Sequence, residues 1–246
     1  MLITLRKPFK LISQFFLTWM GKYNYHLIKG NLNPSNRCDY KIFMEGVWSV
    51  SMDWVRNTTL ELLCREIIRH GVKGNTAEIG VYQGDFSALI NHHLPDRPIY
   101  LFDTFTGFDN RDTVADRNRG IEGYQHDFSI TSTELVLKKM PYPERVIFRP
   151  GRFPETATGL EEENFCLVSL DTDLYEPIYE GLKWFYPRLS QGGYIMIHDY
   201  FNDNYAGAGQ AVRKYVAENG LSFTVIPDTG GTAIIGKPYK AGLTPR

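Results

Sequence analysis

From residue 52 onward, two hydrophobic periods alternate along the chain. Between 52 and 70 the apolar residues Val55, Leu60, Leu62, Leu63, Ile67 and Ile68 recur at helical spacing, and Gly71 closes the run. Short β-rich runs then alternate with helical stretches. The spacing predicts strands over 76–81, 99–103, 146–149, 165–171, 194–198, 223–226 and 232–236. It predicts helices over 85–93, 132–140, 178–189 and 208–219. Strands alternating with helices imply parallel βαβ units, with helices on both faces of an α/β sheet. The last two strands are separated only by Pro227-Asp228-Thr229-Gly230-Gly231. That gap is too short for a parallel crossover, so the sheet should end in an antiparallel hairpin.

Residues 1–50 do not share this alternation and are read as a helical accessory segment ahead of a domain spanning 51–246. Lys7, Lys10 and the apolar run from Leu11 to Met20 mimic a signal peptide, but no small-residue cleavage site follows. The run is also shorter than the roughly 20 apolar residues of a spanning helix. A helix packed on the domain or on a second subunit is favoured over one lying at a membrane surface through Phe15 and Trp19. A homo-oligomer is therefore expected. The formal net charge of −1 shows no excess of basic residues and argues against a nucleic-acid partner. Cys38, Cys64 and Cys166 are sparse, odd in number and without metal-like spacing, which suits reduced thiols in the cytoplasm.

Two stretches carry the chemistry of a cofactor site. In Ala77-Glu78-Ile79-Gly80-Val81-Tyr82-Gln83-Gly84-Asp85-Phe86-Ser87 a strand runs into a glycine loop and then a helix. Glycines let the backbone approach a ligand closely, and the helix start offers free N–H groups. The G-x-x-x-G spacing lacks the full dinucleotide fingerprint. Glu78 would sit badly beside a pyrophosphate and suits a cationic group, such as the amino group of a methionine moiety. The second strand ends on Asp103, about 20 residues beyond the loop, where an acid accepts the ribose hydroxyls of an adenosine cofactor. Alone it could equally cap the next turn; Glu78, Gly80 and Gly84 at their spacing favour adenosine binding.

Ser169-Leu170-Asp171-Thr172-Asp173 raises a different question. Side chains two apart on an extended strand point to the same side, so two like charges there require a positive partner or a shared proton. The spacing alone leaves open what that partner is. Asp173 either supports that site or caps the helix that begins near Tyr175-Glu176-Pro177.

The segments E-I-G-V-Y-Q-G-D-F, L-F-D-T-F-T-G-F, L-D-T-D-L-Y-E-P and G-G-Y-I-M-I-H-D-Y, in that order, resemble the macrocin O-methyltransferase (TylF-type) family over residues 50–236. The resemblance implies a class I methyltransferase, Rossmann-like fold. It implies S-adenosylmethionine as cofactor, a divalent cation (magnesium, or manganese) and a small-molecule or glycan acceptor whose sugar or phenolic hydroxyl is methylated. Glu78, Gly80, Tyr82, Gly84 and Ser87 would hold the methionine half, Asp103 and Thr104 the ribose, and Asp127 and Phe128 would lie near the adenine. Asp171 and Asp199 would ligate the metal. The family's D-D-Y motif reads His198-Asp199-Tyr200 here, so a histidine replaces one aspartate. Magnesium prefers oxygen ligands, so a ligating His198 shifts preference towards manganese, iron or zinc. Alternatively His198 is a base, or a hydrogen-bonded residue at the strand end. Asp171 and His198 are the candidate catalytic residues, because an acceptor hydroxyl must lose its proton to attack a sulfonium methyl. Residues 107–124 and 201–207 read as loops around the acceptor, the first as a mobile lid. An NAD-dependent oxidoreductase, a binding protein that has lost catalysis and a metal hydrolase are the competing readings.

Overall fold

The structure, a computed structural model, describes residues 53–121 and 126–239. The expected accessory segment and its membrane or subunit contacts lie outside the described residues. Helix α1 (Trp54–Arg69) begins at an Asp53 cap, whose Oδ1 accepts the Val55 and Arg56 N–H groups at 3.0 and 3.1 Å. This satisfies donors that a helix start otherwise leaves free.

Seven strands follow: β1 (Asn75–Ile79), β2 (Ile99–Asp103), β3 (Val146–Pro150), β4 (Phe165–Leu170), β5 (Leu189–Ile197), β6 (Thr224–Ile226) and β7 (Thr232–Gly236). They form one sheet in the order β3-β2-β1-β4-β5-β7-β6. β1 to β5 pair in parallel, and β7 runs antiparallel to both β5 and β6. The hairpin expected from the short 227–231 gap is therefore present, and its second strand is the one inserted beside β5. The intervening helices are α2 (Asp85–His93), α3 (Asn110–Asn118), α4 (Thr133–Lys139), α5 (Tyr175–Arg188) and α6 (Ala206–Asn219). No helix among the described residues is long and apolar enough to cross a membrane.

Both sheet faces are covered, as parallel sheets require. On one face Ile79, Phe102, Val168, Leu170, Ile195 and Ile197 share a core with Ile178, Leu182 and Phe185 of α5 and Val212 of α6. On the other, Leu101, Leu167 and Met196 are buried, as are Leu60 and Ile67 of α1 and Ile90 of α2. β4 is buried along its whole length, which is why it reads as an unbroken apolar run.

Several boundaries differ from expectation. β5 starts at Leu189 rather than 194, because Gly192 and Gly193 continue the strand in place of a loop. α5 starts at Tyr175, three residues earlier than its apolar spacing shows, since its first turn carries polar and proline residues that a periodicity count passes over. The stretch read as a mobile lid contains α3, which Asp109 caps through the Arg111 N–H.

Candidate active site

β1 stops at Ile79, and the chain turns at Gly80 with φ +83. A Cβ at Gly80 would lie 2.1 Å from the Asp171 carbonyl oxygen, so the end of β1 and the end of β4 touch backbone to backbone there. Gly84 precedes α2 at φ +81, and a Cβ there would meet Val136 at 2.8 Å. Between them, Tyr82 takes a positive φ of 47, uncommon for a side chain of its size.

Asp103 holds this loop. Its Oδ2 accepts the Val81 and Tyr82 N–H groups at 2.7 and 2.9 Å, and its Oδ1 accepts the Phe105 N–H at 2.7 Å. The Thr104 hydroxyl also lies 3.4 Å from Oδ1, a long contact that a ligand hydroxyl could replace. The Thr104 hydroxyl donates to the Gly107 carbonyl, closing the next turn. Sequence reasoning weighed a ligand role for Asp103 against a cap of the next turn; the Phe105 contact is such a cap, and the Val81 and Tyr82 contacts make Asp103 the keystone of the loop as well. The 126–131 segment lies against the same loop. The Phe128 ring meets Tyr82 edge-on at 5.3 Å and Phe108 at 5.1 Å, and the Thr131 hydroxyl donates to the Tyr82 carbonyl. The exposed Asp127 accepts the Ser129 N–H at 2.9 Å.

Glu78 and Ser87 bond to each other. The Ser87 hydroxyl donates to a Glu78 carboxylate that is only 1% exposed. Burial pushes Glu78 up to about 8, against the weaker pull of the Ser87 bond and of Arg56. Its value in the folded chain thus exceeds that of a free glutamate. The unfolded chain then binds fewer protons between roughly pH 4.5 and 8. Stability from this group is full below that window and falls as pH rises through it. Chemical denaturation of wild type and Glu78→Gln at pH 5 and pH 8 tests this. The wild type is expected to lose more stability between the two pH values than the variant, and equal losses would contradict it.

Asp171, His198 and Asp199 meet at the carboxyl ends of β4 and β5. His198 Nδ1 lies 3.2 Å from Asp171 Oδ1 and 2.9 Å from Asp199 Oδ2. The other Asp171 oxygen receives the Arg56 Nη1 at 2.9 Å. Burial alone would lower His198, but the adjoining carboxylates outweigh it and raise the imidazole to about 10. Burial opposes ionisation of Asp171, yet Arg56 and His198 hold its carboxyl well below the usual range. Asp173 goes the other way: burial, then Asp171 and Asp199, push its carboxyl well up. The positive partners of Asp171 in this structure are thus a guanidinium and an imidazolium, where the sequence suggested a cation. Asp173 does not cap α5. It takes φ +63 with its side chain buried, and the cap position falls to Leu174 without a side-chain bond.

The sequence profile of the macrocin-O-methyltransferase (TylF) family matches residues 47–230. The chain belongs to that family. It is accordingly an S-adenosylmethionine-dependent O-methyltransferase, which sets aside the oxidoreductase, hydrolase and scaffold readings. Demethyldecarbamoylnovobiocin O-methyltransferase of Streptomyces niveus is 26% identical over 179 residues, 64% of this chain and 68% of that enzyme. Mycinamicin III 3''-O-methyltransferase of Micromonospora griseorubida is 27% identical over 184 residues, 70% of this chain and 71% of its own. Among solved structures, the calicheamicin methyltransferase CalS11 superposes with a TM-score of 0.60 at 20% identity, covering 93% of both chains. The O-methyltransferase NovP gives 0.59 at 22% identity, covering 74% of this chain and 79% of its own. At these identities the superpositions establish the class I methyltransferase fold.

Within this TylF-family enzyme the elements around the carboxylate cluster are laced together. Asn202 donates to Asp199 Oδ1 at 2.8 Å, and the Tyr200 and Phe201 N–H groups donate to the Gly231 and Gly230 carbonyls at 2.8 Å each. The 201–207 stretch forms a short 3-10 turn (Asp203–Tyr205) leading into α6. α3 is pinned rather than loose. Asp112 pairs with Arg152 at 2.7 Å, and the fully buried Asp116 carboxylate accepts the Tyr175 N–H at 3.2 and 3.3 Å. Asp116 thereby supplies α5 with the cap that Leu174 lacks.

The donor set suits a divalent cation. Asp171, His198 and Asp199 each offer one ligand atom, all within 4.8 Å of one another, and Asp171 does so while its second oxygen stays with Arg56. One imidazole nitrogen with two carboxylate oxygens is a set that manganese, iron or zinc accepts more readily than magnesium. Nδ1 must first shed its proton, so loading would release one.

Arg56 is the residue that sequence reasoning missed. It lies outside all four family motifs quoted above. Its signal is a lone basic residue in the first turn of α1, where the helix dipole disfavours positive charge.

Proposed function

We propose that this enzyme methylates a hydroxyl on the sugar of a glycosylated small molecule, with a divalent cation held by Asp171, His198 and Asp199. The reading rests on one observation. These three donors converge at the carboxyl ends of β4 and β5, where the Asp171 backbone abuts Gly80 of the glycine loop. Open α/β sheets bind ligands at that edge. The sugar acceptor is supported by relatives whose names specify glycosylated natural products.

In this reading the Gly80–Gly84 loop receives the methionine half of the cofactor, with Glu78 and Ser87 bracing its inner wall. Asp103 fixes the loop and would accept a ribose hydroxyl at Oδ1 in place of its long contact with Thr104. Phe128 and Tyr82 border the adenine side, with Asp127 at its exposed margin. S-adenosylmethionine, when bound, would supply its sulfonium methyl to the acceptor oxygen, with the carbon–sulfur bond electrons staying on S-adenosylhomocysteine. A bound divalent cation would lower the pKa of the acceptor hydroxyl and orient it. The hydroxyl proton passes to a carboxylate oxygen of the cluster or onward to solvent, because His198 already carries a proton beside Asp171 and Asp199 and would spend that lone pair on the cation once the proton is lost. Asp171, held ionised by Arg56, is the anchor.

A second reading is favoured by the Arg56–Asp171 pair: the cluster, already neutralised by two cationic side chains, orients the acceptor by hydrogen bonds alone. Methyl transfer to a panel of rhamnosyl and macrolide glycosides, before and after chelation and with manganese restored, separates the two. Loss on chelation with recovery on manganese supports the cation. Undiminished transfer after chelation supports the second reading. No transfer to any glycoside, with transfer to a free phenol, would overturn the sugar assignment.

A further inference from the structure

The structure assigns to Arg56 the binding of a carboxylate, namely the α-carboxylate of the cofactor's methionine half. Arg56 is 8% exposed, and its guanidinium lies over the Phe86 ring at 3.8 Å. Nη1 is used on Asp171 at 2.9 Å. Nε and Nη2, both buried, have no hydrogen-bond partner among the described residues. A buried donor without an acceptor is costly, and a charged one more so. The two idle nitrogens are not scattered: Nε–H and Nη2–H form one edge of the planar guanidinium, with parallel N–H bonds spaced for the two oxygens of a carboxylate. Asp171 has therefore taken the remaining donor and left the bidentate edge open.

The position identifies whose carboxylate fits. Arg56 stands in the first turn of α1, which Asp53 caps and also ties to the β6–β7 turn by accepting the Thr229 N–H. Phe86 is the second residue of α2, directly after the glycine loop. Asp171, the third neighbour, touches Gly80 through its backbone. The open edge thus belongs to a residue bounded by the start of α2, the end of β4 and the loop that receives the methionine half. That moiety carries one carboxylate in need of a counter-cation, while the ionised acid beside it here, Asp171, can only attract its ammonium end. Phe86 adds a flat apolar backing that fixes the guanidinium plane.

The inference rests on the cofactor reading above, and the test separates their failures. S-adenosylmethionine and decarboxylated S-adenosylmethionine differ only in this carboxylate. Calorimetric titration of the full chain is expected to show the wild type binding the first roughly 10- to 100-fold more tightly. In Arg56→Gln that preference should collapse to near unity, chiefly through loss of affinity for S-adenosylmethionine. Arg56→Lys keeps the charge without the fork and should retain only part of the preference; it carries the test if Arg56→Gln does not fold. A wild type that binds both equally overturns the Arg56 assignment and leaves the cofactor reading intact. So does a variant that loses both ligands in equal measure, which would make Arg56 a brace for Asp171. A wild type that binds neither overturns both.

Discussion

Asp171→Asn is expected to lower kcat by about 100- to 10,000-fold, the range seen when a positioned proton-transfer or orienting group is removed. The substitution keeps the shape of the side chain and deletes its charge. That charge is shared: one oxygen faces Arg56 at 2.9 Å and the other faces His198 at 3.2 Å. Without it, two cationic groups confront each other across a neutral amide, and one anionic donor of the cluster disappears. Cofactor affinity should fall far less than kcat, because the glycine loop and Asp103 do not depend on the Asp171 charge. A stability loss of about 3 kcal/mol accompanies the change, at the low end for breaking a buried pair, since Asp171 is partly exposed. Steady-state kinetics beside cofactor titration decides the matter. Intact kcat with weakened cofactor binding would place Asp171 on the cofactor side and remove it from the chemistry.

Among the described glycines, Gly80→Ala should be the most damaging substitution by alanine. The new Cβ would stand 2.1 Å from the Asp171 carbonyl oxygen and 2.6 Å from its carbonyl carbon. Both are backbone atoms held in the β1–β4 register, with Asp171 N–H bonded to the Ile79 carbonyl at 2.9 Å. No side chain can swing aside, so the strand ends must separate. The positive φ adds roughly 1 kcal/mol more. A loss of about 3 kcal/mol or greater is expected, corresponding to a Tm roughly 6–12 °C lower for a domain of this size. Cofactor affinity should drop at least tenfold, because Val81 and Tyr82 leave their bonds to Asp103. Thermal unfolding with and without cofactor measures both effects. A variant melting within a degree or so of the wild type would show that the Gly80–Asp171 contact is not tight in solution.

The family is visible in the chain because its motifs are local. The glycine loop, the acid ending β2 and the apolar run ending in Asp171 are each written within a dozen residues, and their order survives any folding detail. The hairpin was legible for a similar reason: five residues cannot carry a parallel crossover. The 107–124 stretch was misread because its charges suggested solvent, whereas Asp112 and Asp116 are buried against Arg152 and the Tyr175 N–H. Charge spacing along a chain does not show which distant donor will meet it.

What the sequence by itself determined is the alternation of strands and helices, the family, and the presence of Asp171, His198 and Asp199 at two strand ends. Tertiary structure decided how those charges are balanced. Arg56 reaches Asp171 from more than a hundred residues away, so no spacing rule connects them. Asp173 takes a positive φ with its carboxyl buried near Asp171 and Asp199, where a helix cap looked equally reasonable. Side-chain charge is fixed by the code, but its ionisation and its partner depend on burial and on neighbours that only the folded sheet brings within 3 Å.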